Sequence, residues 1–243
     1  MSEPHDYDEY GCPVGAAVPG FKAPPPPPST PMQGRHCDVL PLDPARDAVD
    51  LFHAYGAPQG DAGWSYLPYG PFAAFDEFRG WLESYCTGSD PMFHVIVPRA
   101  SGRAEGMASY LRITPAAAVI EVGHIHYSPL LQRTVAATEA MYLMMRRVFE
   151  LGYRRYEWKC NALNRASRDA AMRFGFSFEG VFRQALVVKG RNRDTAWYAC
   201  IDAEWPALEA AFEKWLAPEN FDDDGRQRVS LSTLTAPVLV KTG

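Results

Sequence analysis

The residues best equipped for chemistry lie between Glu121 and Ser167. Glu121 follows Val119 and Ile120 in a long branched stretch. A carboxylate desolvated there would have a raised pKa, which suits a proton acceptor working near neutral pH. It is equally an ordinary strand glutamate facing solvent or paired with an arginine. His124 and His126 alternate onto one face of the same stretch, opposite Glu121 unless a bulge near Gly123 changes the phase. Imidazole titrates near neutrality, so either could accept a proton or hold an acceptor; a hydrogen-bonded or surface histidine is the plainer alternative. Paired His-x-His can also bind metal, but no third ligand is evident and no metal is expected.

A strand-to-helix junction follows. The strand ends at Tyr127-Ser128-Pro129, and Leu130 to Thr134 lead into an amphipathic helix. The first amides of a helix have no intrahelical partner, and with the helix dipole they form an anion site. Arg133 could add a charge-assisted contact. The junction therefore suggests a phosphate-bearing ligand, with an ordinary β–α turn as the alternative.

These groups need a scaffold, and the chain spells one. Strands are expected at 35–40, 93–97, 106–113 and 118–127, the last three as an antiparallel meander with turns at Ala100-Ser101-Gly102 and Thr114-Pro115. Asp43-Pro44 caps a helix through Tyr55, and Phe72 to Cys86 carries aromatic residues at helical spacing. Between these two helices runs an aromatic loop with Trp64, Tyr66 and Tyr69. Val135 to Leu151 places Ala137, Met141, Met144, Val148 and Leu151 at 4-3-4-3 spacing before Gly152. A strand at 156–160, a helix at 165–174, two strands at 177–188 and 194–201, and a helix from about 206 to 216 complete the order. On the strand at 156–160, Glu157 and Lys159 share one face and Trp158 takes the other, as core or as a substrate platform. The basic stretch Lys189 to Arg193 reads as a solvated hairpin turn, or as a contact to a partner. The order predicts an α/β (α+β) fold, a mixed sheet with helices on both faces.

Composition bounds the rest. The chain has 243 residues, a net charge of −5 and 47% hydrophobic residues. That suits a folded protein and argues against coating nucleic acid, which needs a basic surface. Five cysteines without C-x-x-C spacing read as reduced thiols. Met1 to Tyr10 is acidic and polar, unlike a secretory signal, and no apolar run reaches the roughly 18 residues of a membrane helix. The expected location is cytoplasmic. Residues 1–33, with the run Pro24 to Pro28, read as an extended proline-rich arm that Val14, Val18 and Phe21 could dock. Residues 34–217 form the domain, and 218–243 a polar tail that hugs the surface or frays.

The string Gln132-Arg133-Thr134-Val135-Ala136-Ala137-Thr138-Glu139-Ala140 resembles the pyrophosphate loop of the GNAT superfamily of N-acetyltransferases. Asn164-Arg165-Ala166-Ser167, then Arg173-Phe174-Gly175-Phe176 and Phe178-Glu179-Gly180, resemble its second motif. The branch with the ribosomal-protein alanine N-acetyltransferases matches this spacing best, over about 118–204. The resemblance implies a GNAT fold with a sheet splayed at its centre, and transfer of an acetyl group from acetyl-CoA to a primary amine in a ternary complex. It implies that Gln132, Arg133, Thr134, Val135, Ala136, Ala137 and Thr138 bind the pyrophosphate. The pantetheine would run between 123–127, including Ile125 and His126, and 156–160. Asn164 would contact it, Ser167 would protonate the leaving thiolate, and Glu121 or His124 would relay the amine's proton. Trp64, Tyr66, Tyr69, Glu121 and Trp158 become candidates for the acceptor pocket.

Two departures stand out. The family usually has glycines at Arg133 and Val135, and many members carry a tyrosine acid where this chain has Ala171. A non-catalytic acyl-CoA-binding module, or an interaction factor recruited through the arm, remains the alternative to an enzyme. The acceptor could be a small molecule or a protein N-terminus, and the chain a monomer or a homodimer.

Overall fold

A computed structural model describes residues 5–56 and 60–243, so Met1 to Pro4 of the proline-rich arm lie outside the described residues. In chain order the elements are β1 (His5–Tyr7), β2 (Pro13–Gly15), β3 (Met32–Gln33), β4 (Cys37–Pro41), α1 (Pro44–Tyr55), α2 (Phe75–Tyr85), β5 (Met92–Pro98), β6 (Gly106–Thr114), β7 (Val119–Tyr127), α3 (Val135–Glu150), β8 (Arg155–Asn161), α4 (Arg165–Arg173), β9 (Ser177–Val188), β10 (Arg191–Ile201), α5 (Trp205–Leu216) and α6 (Leu231–Thr235). Local chemistry sets the boundaries. The Asp43 carboxylate accepts from the amide of Ala45 before Pro44 opens α1. Lys189 and Gly190 both have positive φ, as the two-residue turn joining β9 to β10 requires.

Eight strands form one sheet in the order β3-β4-β5-β6-β7-β8-β10-β9. Every neighbouring pair is antiparallel except β7 and β8, which are parallel and joined through α3. The two faces carry separate cores. Ile120, Val122, Met141, Met144, Tyr156 and Phe212 lie in the core of the α3 and α5 side. Leu51, Trp64, Phe78, Leu82, Phe93 and Val95 lie in that of the α1 and α2 side. Among the described residues no helix is long and apolar enough to cross a membrane.

The ends of the chain depart from the expectation. Val14, Val18 and Phe21 are exposed and do not dock the arm. Pro24 and Pro27 are buried instead, and the Arg147 guanidinium of α3 donates to the carbonyls of Thr30 at 2.6 Å and Pro31 at 2.8 Å. Met32 enters the core as β3, so the boundary drawn at residue 33 falls inside the sheet. The next residues are held by Glu139. Its carboxylate accepts from the amides of Arg35 at 2.9 Å, His36 at 2.6 Å and Cys37 at 2.9 Å. Gly34 makes room: a Cβ there would stand 2.5 Å from Glu139 Oε2. The segment 218–243 is no loose tail either. Leu231 and Thr235 of α6 are fully buried, Trp215 Nε1 donates to Gln227 Oε1, and the amide of Phe178 donates to the carbonyl of Lys241.

Candidate active site

The parallel strands β7 and β8 are paired only from Val119↔Arg155 to Val122↔Trp158. A bulge then bends β7. Against β6, Ser109 faces Gly123 and Met107 faces His126, so His124 and Ile125 together oppose Ala108, and His124 takes φ 50°. The edges Gly123–Tyr127 and Lys159–Asn161 separate into a V. The amide of Ser128 donates to the Glu105 carbonyl, so the alternation of the antiparallel ladder turns the backbone groups of Ile125 toward the V. The V opens into a cleft of about 840 Å³, within the usual size of a small-molecule site.

At one end of the V stands the start of α3. The Thr134 hydroxyl accepts from the amide of Ala137 and donates to the Leu131 carbonyl. The amides of Arg133, Val135 and Ala136 have no hydrogen-bond partner among the described residues. Arg133 sits at φ 63°, the left-handed region that glycine occupies freely. The loop thus keeps the glycine backbone without the glycine, at a cost of about 1 kcal/mol.

On the β8 side, Asn164 caps α4 by accepting from the amide of Ser167. The buried Trp158 donates its indole N–H to Ser167 Oγ at 3.0 Å. That bond occupies an acceptor position of the hydroxyl and leaves its proton to donate, with the Cys160 side chain also within its reach.

Glu121 is buried and lies beside Glu157 on the neighbouring strand. Lys159 Nζ sits between them, 2.8 Å from Glu121 Oε2 and 2.7 Å from Glu157 Oε2. Arg112 closes one end of the row on Glu121 at 2.7 Å, and Arg155, itself paired with Glu179, closes the other on Glu157. Burial pushes the Glu157 carboxyl up, but the hydrogen bonds from Lys159 and Arg155 outweigh it and hold the group below its usual range. Glu121 Oε1 has no hydrogen-bond partner among the described residues.

The bulge places both histidines on the face of Glu121, not opposite it. His124 lines the cleft, its Nδ1 2.7 Å from the Tyr69 hydroxyl. Burial, aided by Arg112 and Arg193, lowers its pKa to about 4, so the imidazole is neutral at pH 7. The His126 side chain packs into the core. Its ring stacks on Tyr55 at 4.1 Å, meets the edge of Trp64 at 3.9 Å, and does not line the cleft.

Comparison with known proteins decides what this arrangement belongs to. The acetyltransferase (GNAT) domain family matches residues 39–177. A GCN5-related N-acetyltransferase from Brucella melitensis is 44% identical, superimposes with a TM-score of 0.88, and aligns over 90% of this chain and 100% of that one. A probable acetyltransferase (GNAT family) from Chromobacterium violaceum is 41% identical with a TM-score of 0.75, over 81% and 98% of the two chains. This chain belongs to the GNAT acetyltransferases. The Microcin C7 self immunity acetyltransferase MccE, solved with acetyl-CoA and AMP, shares the fold at 18% identity and a TM-score of 0.60, over 69% and 93% of the chains. No curated protein matches.

A GNAT acetyltransferase uses acetyl-CoA, and the groups present fit that co-substrate. Unpartnered amides at the positive end of α3 suit a pyrophosphate, and two strand edges without partners suit the amides of a pantetheine arm.

The aromatic loop of this GNAT chain divides into core and cleft. Trp64 is 2% exposed and packs on Tyr55, Phe72, Phe78 and Trp81. It is corrected from an acceptor wall to a core residue. Tyr66 does line the cleft, with its hydroxyl 3.4 Å from the Leu163 carbonyl. Tyr69 reaches it through His124. Trp158 combines the two readings, buried in the core with its N–H on Ser167. The hairpin tip is the exposed turn expected, but it is also anchored: Lys189 Nζ donates to the carbonyls of Trp64 at 2.9 Å and Gly70 at 2.7 Å, tying the aromatic loop to the β9–β10 hairpin. One lysine among the three basic residues of a polar turn gave no sign of this tie.

Proposed function

We propose that this chain acetylates a primary amine by direct transfer within a ternary complex. The observation that carries the reading is the V between β7 and β8, flanked by the Ser167 hydroxyl on one side and the free Oε1 of Glu121 on the other. Acetyl-CoA supplies an activated acetyl thioester. The amides of Arg133, Val135 and Ala136 would hold its pyrophosphate, with Gln132, Thr134, Ala137 and Thr138 shaping the loop. The Ile125 backbone and Asn164 would hold the pantetheine. The pair Arg112 and Lys159 fixes Glu121 so that Oε1 faces the amine.

As the amine nitrogen forms its bond to the acetyl carbon and the carbon–sulfur bond breaks, Glu121 Oε1 takes the amine proton, directly or through water. Ser167 donates its proton to the departing sulfur and regains one from water, while Glu121 gives the amine's proton up to solvent, so both groups are restored. His124, with a pKa of about 4, is the neutral imidazole at pH 7, and it positions the acceptor with Tyr69 and Tyr66. Ala171 is fully buried, so no phenolic acid occupies that place, and Ser167 serves as the acid. The spacing of Asn164, Ser167 and Gly180 supports kinship with the ribosomal-protein alanine acetyltransferase branch.

The test is release of CoA thiol from acetyl-CoA in the presence of a panel of primary amines. Amine-dependent release lost in Glu121→Gln and Ser167→Ala supports the reading. Tight acetyl-CoA binding with no release for any small amine or peptide would favour the non-catalytic binding module.

A further inference from the structure

The cleft wall opposite the aromatic loop is built by β10, and its alternate residues Arg193, Thr195 and Trp197 all line the cleft. Each carries a buried polar atom without a partner among the described residues: Arg193 Nε, Thr195 Oγ1 and Trp197 Nε1. Thr195 is 5% exposed. Buried donors are almost always satisfied, so three in a row on one face of one strand mark a place where a ligand acceptor belongs.

The charges sharpen this. Three cations line the cleft. Arg112 and Lys159 are committed to Glu121. Arg193 has no ion pair or side-chain hydrogen bond among the described residues, and burial lowers its pKa by more than the nearby Cys160 and Glu121 raise it. Asp90, the other carboxylate on the cleft, already accepts the amides of Arg112 and Ile113. Phe182 stacks on Trp197 at 4.4 Å, and Leu186 adds apolar surface. The cleft therefore offers a carboxylate oxygen, Glu121 Oε1, on β7 and an unpaired guanidinium with two neutral donors on β10, with the Lys159 ammonium bound to Glu121 and lying over the Trp197 ring at 3.8 Å between them.

We propose that the acceptor is a zwitterion: an amine that also bears a carboxylate, such as an α-amino acid with an apolar side chain. Its amine lies at Glu121 and its carboxylate at Arg193, Thr195 and Trp197. A guanidinium and a carboxylate make short, charge-assisted bonds, and Arg193 presents several donors in a fixed fork. The proposal rests on the acetyl-transfer reading and names its substrate class.

The test compares L-phenylalanine, phenylalaninamide, phenethylamine, the aminophosphonate analogue of phenylalanine, and a tripeptide beginning with phenylalanine. CoA release is followed for each, and binding of each is measured by calorimetry on the full-length protein without acetyl-CoA. The expected result is that phenylalanine exceeds its amide and phenethylamine roughly tenfold or more in kcat/KM and in affinity. Arg193→Gln should erase that gap with the KM for acetyl-CoA unchanged, and Arg193→Lys should restore part of it. Equal or better performance by the uncharged-end amines, or a gap that survives in Arg193→Gln, overturns the proposal. Preference for the phosphonate keeps the anion site but replaces carboxylate by phosphate chemistry. Preference for the tripeptide overturns it in favour of a protein N-terminus. If acetyl-CoA fails to bind, the acetyl-transfer reading falls, while the calorimetry still decides whether Arg193 holds a carboxylate.

Discussion

The indole N–H of Trp158 donates to the hydroxyl of Ser167 at 3.0 Å, joining a buried residue of β8 to the first turn of α4 at the mouth of the V. The bond fixes the serine rotamer and leaves its proton pointing elsewhere. Ser167→Ala should lower kcat on the order of 10²-fold with the Kd for acetyl-CoA nearly unchanged. Trp158→Phe should lower it less, since the serine stays but loses its anchor. Steady-state kinetics with a thermal-shift control separates lost chemistry from lost folding.

Glu121→Gln keeps the shape of the side chain but removes the charge that Arg112 and Lys159 share. Lys159 retains Glu157, and Arg112 can turn to water, so the stability loss should stay near 1–2 kcal/mol. The loss in kcat should be far larger, on the order of 10²-fold. A variant with wild-type kcat would remove Glu121 from the mechanism.

Lys189 ties the hairpin to the aromatic loop across the cleft. Lys189→Met should raise the KM for the acceptor several-fold and leave the KM for acetyl-CoA alone, because both carbonyls it holds belong to the acceptor side. Equal effects on both constants would show that the tie supports the whole domain.

Three histidines bind protons less readily when folded: His94 and His124 titrate near 4 and His126 near 3, all chiefly because burial disfavours the charged ring. Their pKa values are depressed below an unfolded value of 6.5, so the unfolded chain takes up protons first. Stability is complete above about pH 6.5 and falls as pH drops toward 4, by up to a few kcal/mol per buried ring. Denaturant midpoints across that range test this, and His126→Phe, which keeps the stack on Tyr55, should flatten the slope.

Glu139 holds three backbone amides from inside α3. Glu139→Ala should cost about 2–4 kcal/mol, as those amides lose their acceptor. Chemical denaturation measures it.

The sequence was most legible where information is local. The cap at Asp43-Pro44, the spacing of Met141, Met144 and Val148, and the Asn164-to-Gly180 motif are written within a few turns of chain. What failed depended on partners far away. Trp64 and His126 are 62 positions apart, and only the docking of α1 under β7 joins them with Tyr55. The single extra residue of the bulge at His124 reverses the side-chain phase, the case the sequence left open beside strict alternation and could not decide. Glu139 looked like one more polar residue of a loop-to-helix motif until the amides of 35–37 arrived. The unpartnered atoms on β10 became visible only once the hairpin faced the cleft.

The central claim is that acetyl-CoA lies in the V between β7 and β8 with its pyrophosphate on the amides of α3. Calorimetric titration of acetyl-CoA into the wild-type protein and into Asn164→Ala and Arg133→Glu tests it most directly. The account predicts saturable one-site binding, weakened roughly tenfold or more in each variant. Absence of heat at millimolar ligand, or undiminished affinity in both variants, would contradict it.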